Sequence, residues 1–140
     1  MIKTPLSPSQ LILARSRAFT EGDFGFIYDS YHPDSNFCRQ FSDRQAYLDY
    51  ARSVLATDFV IQECRILRER VEGDRASVIF YLDVHFRGER IETFELAQLL
   101  ATEEGWRYHS GQKLERREFA GEIDDIDWDA FEKVKEKVLF

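Results

Sequence analysis

The sequence is short of cysteine, histidine and methionine, and it carries no surplus of positive charge. Its two cysteines, Cys38 and Cys64, lack Cys-x-x-Cys spacing, and no two of its three histidines stand three or four residues apart. That excludes the usual zinc-ligand patterns, so neither metal nor cofactor is expected. A net charge of -7 and the lack of a basic patch argue against binding a phosphate backbone. The segments "RERVEGDR" and "KLERRE" mix acids with bases and read as solvated strand faces. Glycine-rich phosphate loops and the G-x-S-x-G elbow are missing too. "MIKTPLSPSQ" has neither the basic nor the apolar region of a secretion signal, and no apolar run approaches the roughly 18 residues of a membrane-spanning helix. The expectation is a cytoplasmic protein that engages neither membrane nor nucleic acid.

What is abundant is phenylalanine, 12 of 140 residues, within a hydrophobic content of 44%, enough for one core without disulfides. The chain reads as a single domain over residues 1–140. Ser7 and Pro8 open a helix that runs to about Thr20 and stops at Gly22. Asp23 caps a second helix carrying Phe24, Ile27, Tyr28 and Tyr31, which ends before Pro33. "HPDSN" is a loop. Ser42 and Gln45 have capping-box spacing ahead of a third helix with Tyr47, Tyr50, Ala51, Val54 and Leu55 on one face.

From Phe59 the apolar period drops from about 3.6 to about 2. Four runs separated at Gly73-Asp74, Gly88 and Gly105 predict an antiparallel meander. In the second run Val78, Phe80, Leu82, Val84 and Phe86 form the core face, leaving Ser77, Ile79, Tyr81, Asp83 and His85 on an open face suited to a homodimer. The acidic "GEIDDID" is a connector to a C-terminal helix within residues 122–140, capped by Asp127 and lined by Trp128, Phe131, Val134 and Val138. The fold class is therefore α+β: three N-terminal helices, a curved sheet of four main strands and a final helix.

Two segments resemble a known family. "ARSRAFTEGDFGFIYDSYHPDS", through Arg15, Ser16, Arg17, Gly22, Asp23, Tyr31, His32 and Pro33, resembles the start of the middle domain in the YchJ family. "FELAQLLATEEGWRYHSG" is similar to that family's strand-turn-strand segment through Glu95, Gly105, Trp106, Tyr108 and Gly111, although Phe94 and Ala97 replace its usual histidine and serine. The resemblance covers about residues 11–111. It implies the nuclear transport factor 2-like, cystatin-like α+β cone, with a cavity at its wide end. The family's cysteine-rich SEC-C zinc segments have no counterpart here, and zinc is not carried over. The wider superfamily includes SnoaL-like cyclases, ketosteroid isomerases and dehydratases beside noncatalytic binding and dimerisation domains, so the fold alone does not choose a function.

Arg15 lies on the apolar stripe of the first helix, and Glu95 lies among Thr93, Ala97 and Leu99 on one strand face. A bidentate Arg15–Glu95 pair would offset the cost of burying either charge. It reads either as the polar floor of a cavity that orients an anionic or carbonyl ligand, or as a structural tie between helix and sheet. His32, at the expected cone mouth, is a candidate general base or a plain carbonyl cap. His85 and His109 are weaker candidates. Tyr28, Tyr31, Trp106 and Tyr108 either line a pocket or pack in the core. The first functional reading is a noncatalytic module that binds a small molecule or a protein. The alternative is an isomerase, dehydratase or cyclase acting on a small carbonyl compound, with His32 or Glu95 moving the proton.

Overall fold

A computed structural model describes residues 5–41 and 43–132. Helix α1 (Pro8–Glu21) starts on a complete capping box, in which the Ser7 side chain accepts from the Gln10 N–H and the Gln10 side chain accepts from the Ser7 N–H. It ends at Gly22, whose φ of 74° is the left-handed cap that glycine adopts without steric cost. Asp23 caps α2 (Phe24–Asp29). The expected loop ends in a one-turn helix to which the sequence pattern did not point, α3 (Asn36–Gln40), started by the buried Ser35 hydroxyl, which accepts from the Cys38 N–H. Helix α4 (Arg44–Asp58) is capped by Asp43 rather than Ser42, which lies outside the described residues. The shift is physically small, since an Asp side chain one position on satisfies the same orphan donors.

Strands β1 (Phe59–Glu72), β2 (Arg75–Phe86), β3 (Glu89–Thr102) and β4 (Gly105–Glu115) form one antiparallel sheet in the order β1-β2-β3-β4. Bulges interrupt β1 near Ile61–Glu63 and Ile66–Arg68, and the β3–β4 pairing slips by one residue beside Gln98–Leu99. Such insertions bend a sheet locally and re-aim side chains. The inner face carries Val78, Phe80, Ala97, Leu99 and Tyr108, packed against Leu11 and Ile12 of α1.

The other face of the sheet is not open. Ile79, Tyr81, Phe94, Leu96 and Leu114 are buried beneath Ile126 and Phe131, with Phe119, Ile123 and Trp128 around them. The "GEIDDID" segment is therefore part of the packing, with Ile126 fully buried. Arg68 donates to the Asp124 carbonyl at 3.1 Å, Arg65 pairs with the Asp124 carboxylate at 3.2 Å, and the Arg70 guanidinium lies 4.4 Å from the Trp128 ring centre. The covered middle of this face corrects the picture of an exposed dimer surface. Helix α5 (Asp129–Glu132) turns Phe131 into that layer; Val134 and Val138 lie outside the described residues. Asp83 stays on the polar end of the face by holding Arg90 through two hydrogen bonds of 3.1 and 3.0 Å, while His85 is exposed.

Candidate functional site

The phase set by the Ser7 cap turns Leu11, Arg15 and Ala18 inward, and Arg15 ends only 8% exposed. Its guanidinium donates to the hydroxyl of Ser30, the residue that closes α2; that hydroxyl in turn donates to the Ile27 carbonyl at 2.6 Å. The guanidinium carbon lies 4.5 Å from the ring centre of Tyr31 and 4.4 Å from that of Tyr108. Burial on its own would lower the Arg15 pKa, but the oxygens of Tyr31, Tyr108 and Glu95 outweigh it and hold the group above its usual value. Two aromatic faces thus carry a desolvated cation, an arrangement worth about 2 kcal/mol.

Glu95 arrives from the sheet. Cross-strand pairing sets Ile66, Phe80, Glu95 and Lys113 in one row. Glu95 is 5% exposed; it accepts a hydrogen bond of 2.7 Å from the Tyr108 hydroxyl and lies 3.8 Å from the Lys113 ammonium. Tyr108 is itself fixed by main chain: its N–H donates to Ser30 O at 2.8 Å, and its carbonyl accepts from His32 N at 2.7 Å. Residues 30–32 therefore lie along the edge of β4 as a short parallel bridge at Tyr31. Burial, followed by Glu95, raises the Tyr108 pKa far above the ordinary phenol value, so at neutral pH it is a fixed O–H donor.

Arg15, Tyr31, Glu95, Tyr108 and Lys113 line a cavity of about 130 Å³. The rest of the wall is largely apolar: Ile12, Phe19, Phe59, Ile61, Cys64, Phe80 and Leu82, with Ser16 beside Cys64. Burial pushes the Cys64 thiol up to about 11, against a weaker opposing hydrogen bond with Ser16. Among the described residues no buried side-chain nitrogen or oxygen lacks a hydrogen-bond partner, and no three His, Cys, Asp or Glu gather as a metal site.

Of the residues singled out in the sequence, Arg15, Tyr31, Glu95 and Tyr108 line this cavity. The expected bidentate Arg15–Glu95 pair is not formed; Tyr108 links the two, giving its ring to the cation and its hydroxyl to the carboxylate. Tyr28 is elsewhere, donating to the Phe41 carbonyl at 2.8 Å among Phe37 and Tyr47. His32 does not line the cavity: its Nδ1 accepts from the Asp34 N–H at 3.1 Å, and its ring lies 5.9 Å from that of His109. Trp106 packs against the inner core and borders a surface groove with Leu6 and Phe26. Lys113, Cys64 and Ser16 are site residues that the sequence reading passed over.

One family model matches most of the chain, that of the YchJ middle NTF2-like domain, over residues 7–111. The chain belongs to this family. Among solved structures it is similar to a SEC-C motif containing protein from Rhodopseudomonas palustris, with a TM-score of 0.61, 21% identity, and coverage of 78% of this chain and 80% of that one. An NTF2-like protein of unknown function from Cytophaga hutchinsonii also aligns, with a TM-score of 0.48, 12% identity, and coverage of 81% and 94%. No curated protein matches the chain. The YchJ-type domain is thus an α+β, NTF2-like domain, and none of its described helices is long and apolar enough to cross a membrane.

Proposed function

We propose that this YchJ-type domain is a noncatalytic cytoplasmic module that holds a compact, mostly apolar small molecule in its cone. The observation that carries this reading is the cavity of about 130 Å³, apolar over most of its wall, with Arg15, Tyr108 and Glu95 among its polar lining. A cavity of about this size lined by aliphatic and aromatic side chains accommodates a benzene-sized guest. Cys38 and Cys64 are free thiols, in keeping with a reducing compartment.

Proton-transfer chemistry on a carbonyl substrate has weaker support. It needs a base and a separate donor for the developing oxyanion, both within reach of one vacant position. The Tyr108 hydroxyl is already given to Glu95, and the His32 ring does not line the cavity. The test is an NMR titration of the full chain with benzene. The expected result is saturable shifts confined to cone-lining signals such as Ile12 and Leu82, abolished in a Cys64→Phe variant that fills the space. Shifts spread over the surface, or none, would remove the reading.

A further inference from the structure

We propose that the guest is a monoanion: an apolar body of about benzene size ending in a carboxylate, anchored by Arg15 and Lys113. This rests on the binding reading above and names the chemical class of its ligand. The argument begins with a charge that has no counter-charge in contact. Arg15 is more than nine-tenths buried, yet no carboxylate among the described residues lies within 4.0 Å of its guanidinium. Its direct partners are neutral: the Ser30 hydroxyl, the Tyr31 hydroxyl and the faces of Tyr31 and Tyr108. The oxygens of Tyr31, Tyr108 and Glu95 hold the cation in place despite its burial, but no counter-charge touches it, and a carboxylate beside a buried guanidinium would add a direct charge-assisted pair. The carboxylate that shares the cavity, Glu95, is already served by Tyr108 and by Lys113.

The charge count points the same way. Two cations, Arg15 and Lys113, and one carboxylate, Glu95, line the space, so the cavity is positive by one charge inside a chain whose total is -7. A carboxylate entering it would neutralise that excess where water is scarce and Coulomb attraction strong. The guanidinium fork has five N–H donors and matches a planar carboxylate better than a tetrahedral anion. Phe80, Leu82 and Ile61 would enclose the apolar body and leave a bare inorganic anion without contacts. Lys113 lines the same cavity with a third of its side chain exposed, so its ammonium can reach the guest's carboxylate.

The test compares three probes of nearly one shape by NMR titration of the full chain: benzoate, benzamide and benzamidine, with inorganic phosphate as a fourth. The expected result is benzoate binding at least tenfold tighter than benzamide, no saturable shift with benzamidine or phosphate, and shifts at cone-lining signals. Lys113→Gln should weaken benzoate several-fold while benzamide is unchanged, and Arg15→Met should remove the preference for benzoate. If Arg15→Met fails to fold, the Lys113→Gln comparison decides. Equal binding of benzoate and benzamide in the cone would overturn the anion proposal and leave the binding reading standing. Benzoate shifts only outside the cone would overturn the anion proposal alone; no cone-lining shift with any probe, benzene included, would overturn both.

Discussion

Arg15 and Glu95 engage the same tyrosine in different ways: the guanidinium carbon sits 4.4 Å from the Tyr108 ring centre, and the Tyr108 hydroxyl donates to the Glu95 carboxylate at 2.7 Å. An ion pair would have let each charge neutralise the other directly. The tyrosine divides the task, its electron-rich face stabilising the cation and its acidic hydrogen the anion. That leaves two opposite charges in one small space with room for a third group. It also makes Tyr108, held at both ends of its peptide unit by residues 30–32, the part on which the geometry depends.

Replacing Tyr108 by Phe keeps the ring over Arg15 and deletes only the donor to Glu95. A hydrogen bond to a buried carboxylate is worth about 1.5–3 kcal/mol, and urea denaturation should show a loss of that order. Adding Glu95→Gln to Tyr108→Phe should recover part of it, because a neutral amide tolerates the missing donor. A double variant no more stable than Tyr108→Phe alone would show that the carboxylate does not depend on this bond.

Much of this was legible in the sequence, and the gaps have physical causes. Ser7, Pro8 and Gly22 fix the ends and hence the phase of α1, which is why Arg15 could be read as facing inward. Lys113 could not be placed, because plain counting back from the Gly105 turn sets Gln112 opposite Glu95. The one-residue slip beside Gln98–Leu99 brings Lys113 there instead, and nothing local in the sequence announces it. Likewise Ile79 and Tyr81 alternate with Ser77, Asp83 and His85 in a pattern that looks half-solvated, while the residues that cover them, Ile126 and Phe131, come from far along the chain. The partnership of Tyr31 with Tyr108 is a parallel bridge between a helix end and a strand, which carries no periodic signal.

The covered outer face makes the C-terminal segment structural. Phe131 is 1% exposed and packs on the buried face that includes Tyr81 and Phe94. Phe131→Ala should cost about 3–5 kcal/mol in urea denaturation, as for other fully buried phenylalanines. Removing residues 128–140 should go further and expose Ile79 and Leu96, giving a less stable chain that self-associates in sedimentation. A truncated chain as stable and monomeric as the intact one would mean that the segment packs without contributing to the fold.

Cys64 ties stability to alkaline pH. Its thiol value in the folded chain is raised from 9.0 to about 11 by burial, so the folded state binds the proton more tightly than the unfolded one. The associated stability is complete below the unfolded value and is lost as pH rises through the folded one. Urea midpoints should therefore fall between about pH 9 and about pH 11, and Cys64→Ala should flatten part of that decline. The remainder belongs to the buried phenols of Tyr47, Tyr81 and Tyr108, all raised by burial first. An identical slope in the variant would show that Cys64 is hydrated in the folded chain.

His109 and His32 make the opposite kind of couple. The His109 imidazole is held below its ordinary value first by burial and then by His32, with Arg39 and Arg75 adding to the effect and Asp34 opposing it. The neutral ring is favoured in the fold, so its contribution is present above the unfolded value and lost as pH falls through the folded one. NMR titration of the ring protons should place the His109 midpoint below 6.5, and His32→Gln should move it up only part of the way, since burial remains. Benzoate should leave the His32 ring signals unshifted at constant pH, because that ring does not line the cavity. His32 signals that follow benzoate would return His32 to the site.

The division of labour at Tyr108 is open to a measurement that an ion pair would fail. If Arg15 and Glu95 were direct partners, removing the arginine would strand a buried carboxylate at a cost of about 3–5 kcal/mol, and the two positions would couple strongly in a double-mutant cycle. With Tyr108 and Lys113 serving Glu95, the carboxylate keeps its donors when Arg15 is replaced by Met. What Arg15→Met loses is the contact with two aromatic rings and with Ser30, while it also removes the cost of desolvating a buried charge. These effects oppose each other, and the expected net cost is about 1–2 kcal/mol, toward the lower part of the usual range for point substitutions. The Arg15–Glu95 cycle should then give a coupling near the limit of additivity, about 0.5 kcal/mol, and the Tyr108–Glu95 cycle about 1 kcal/mol or more. The reverse order would mean that in solution the arginine reaches the carboxylate directly, with the cavity closing on itself and no unmatched charge left for a guest.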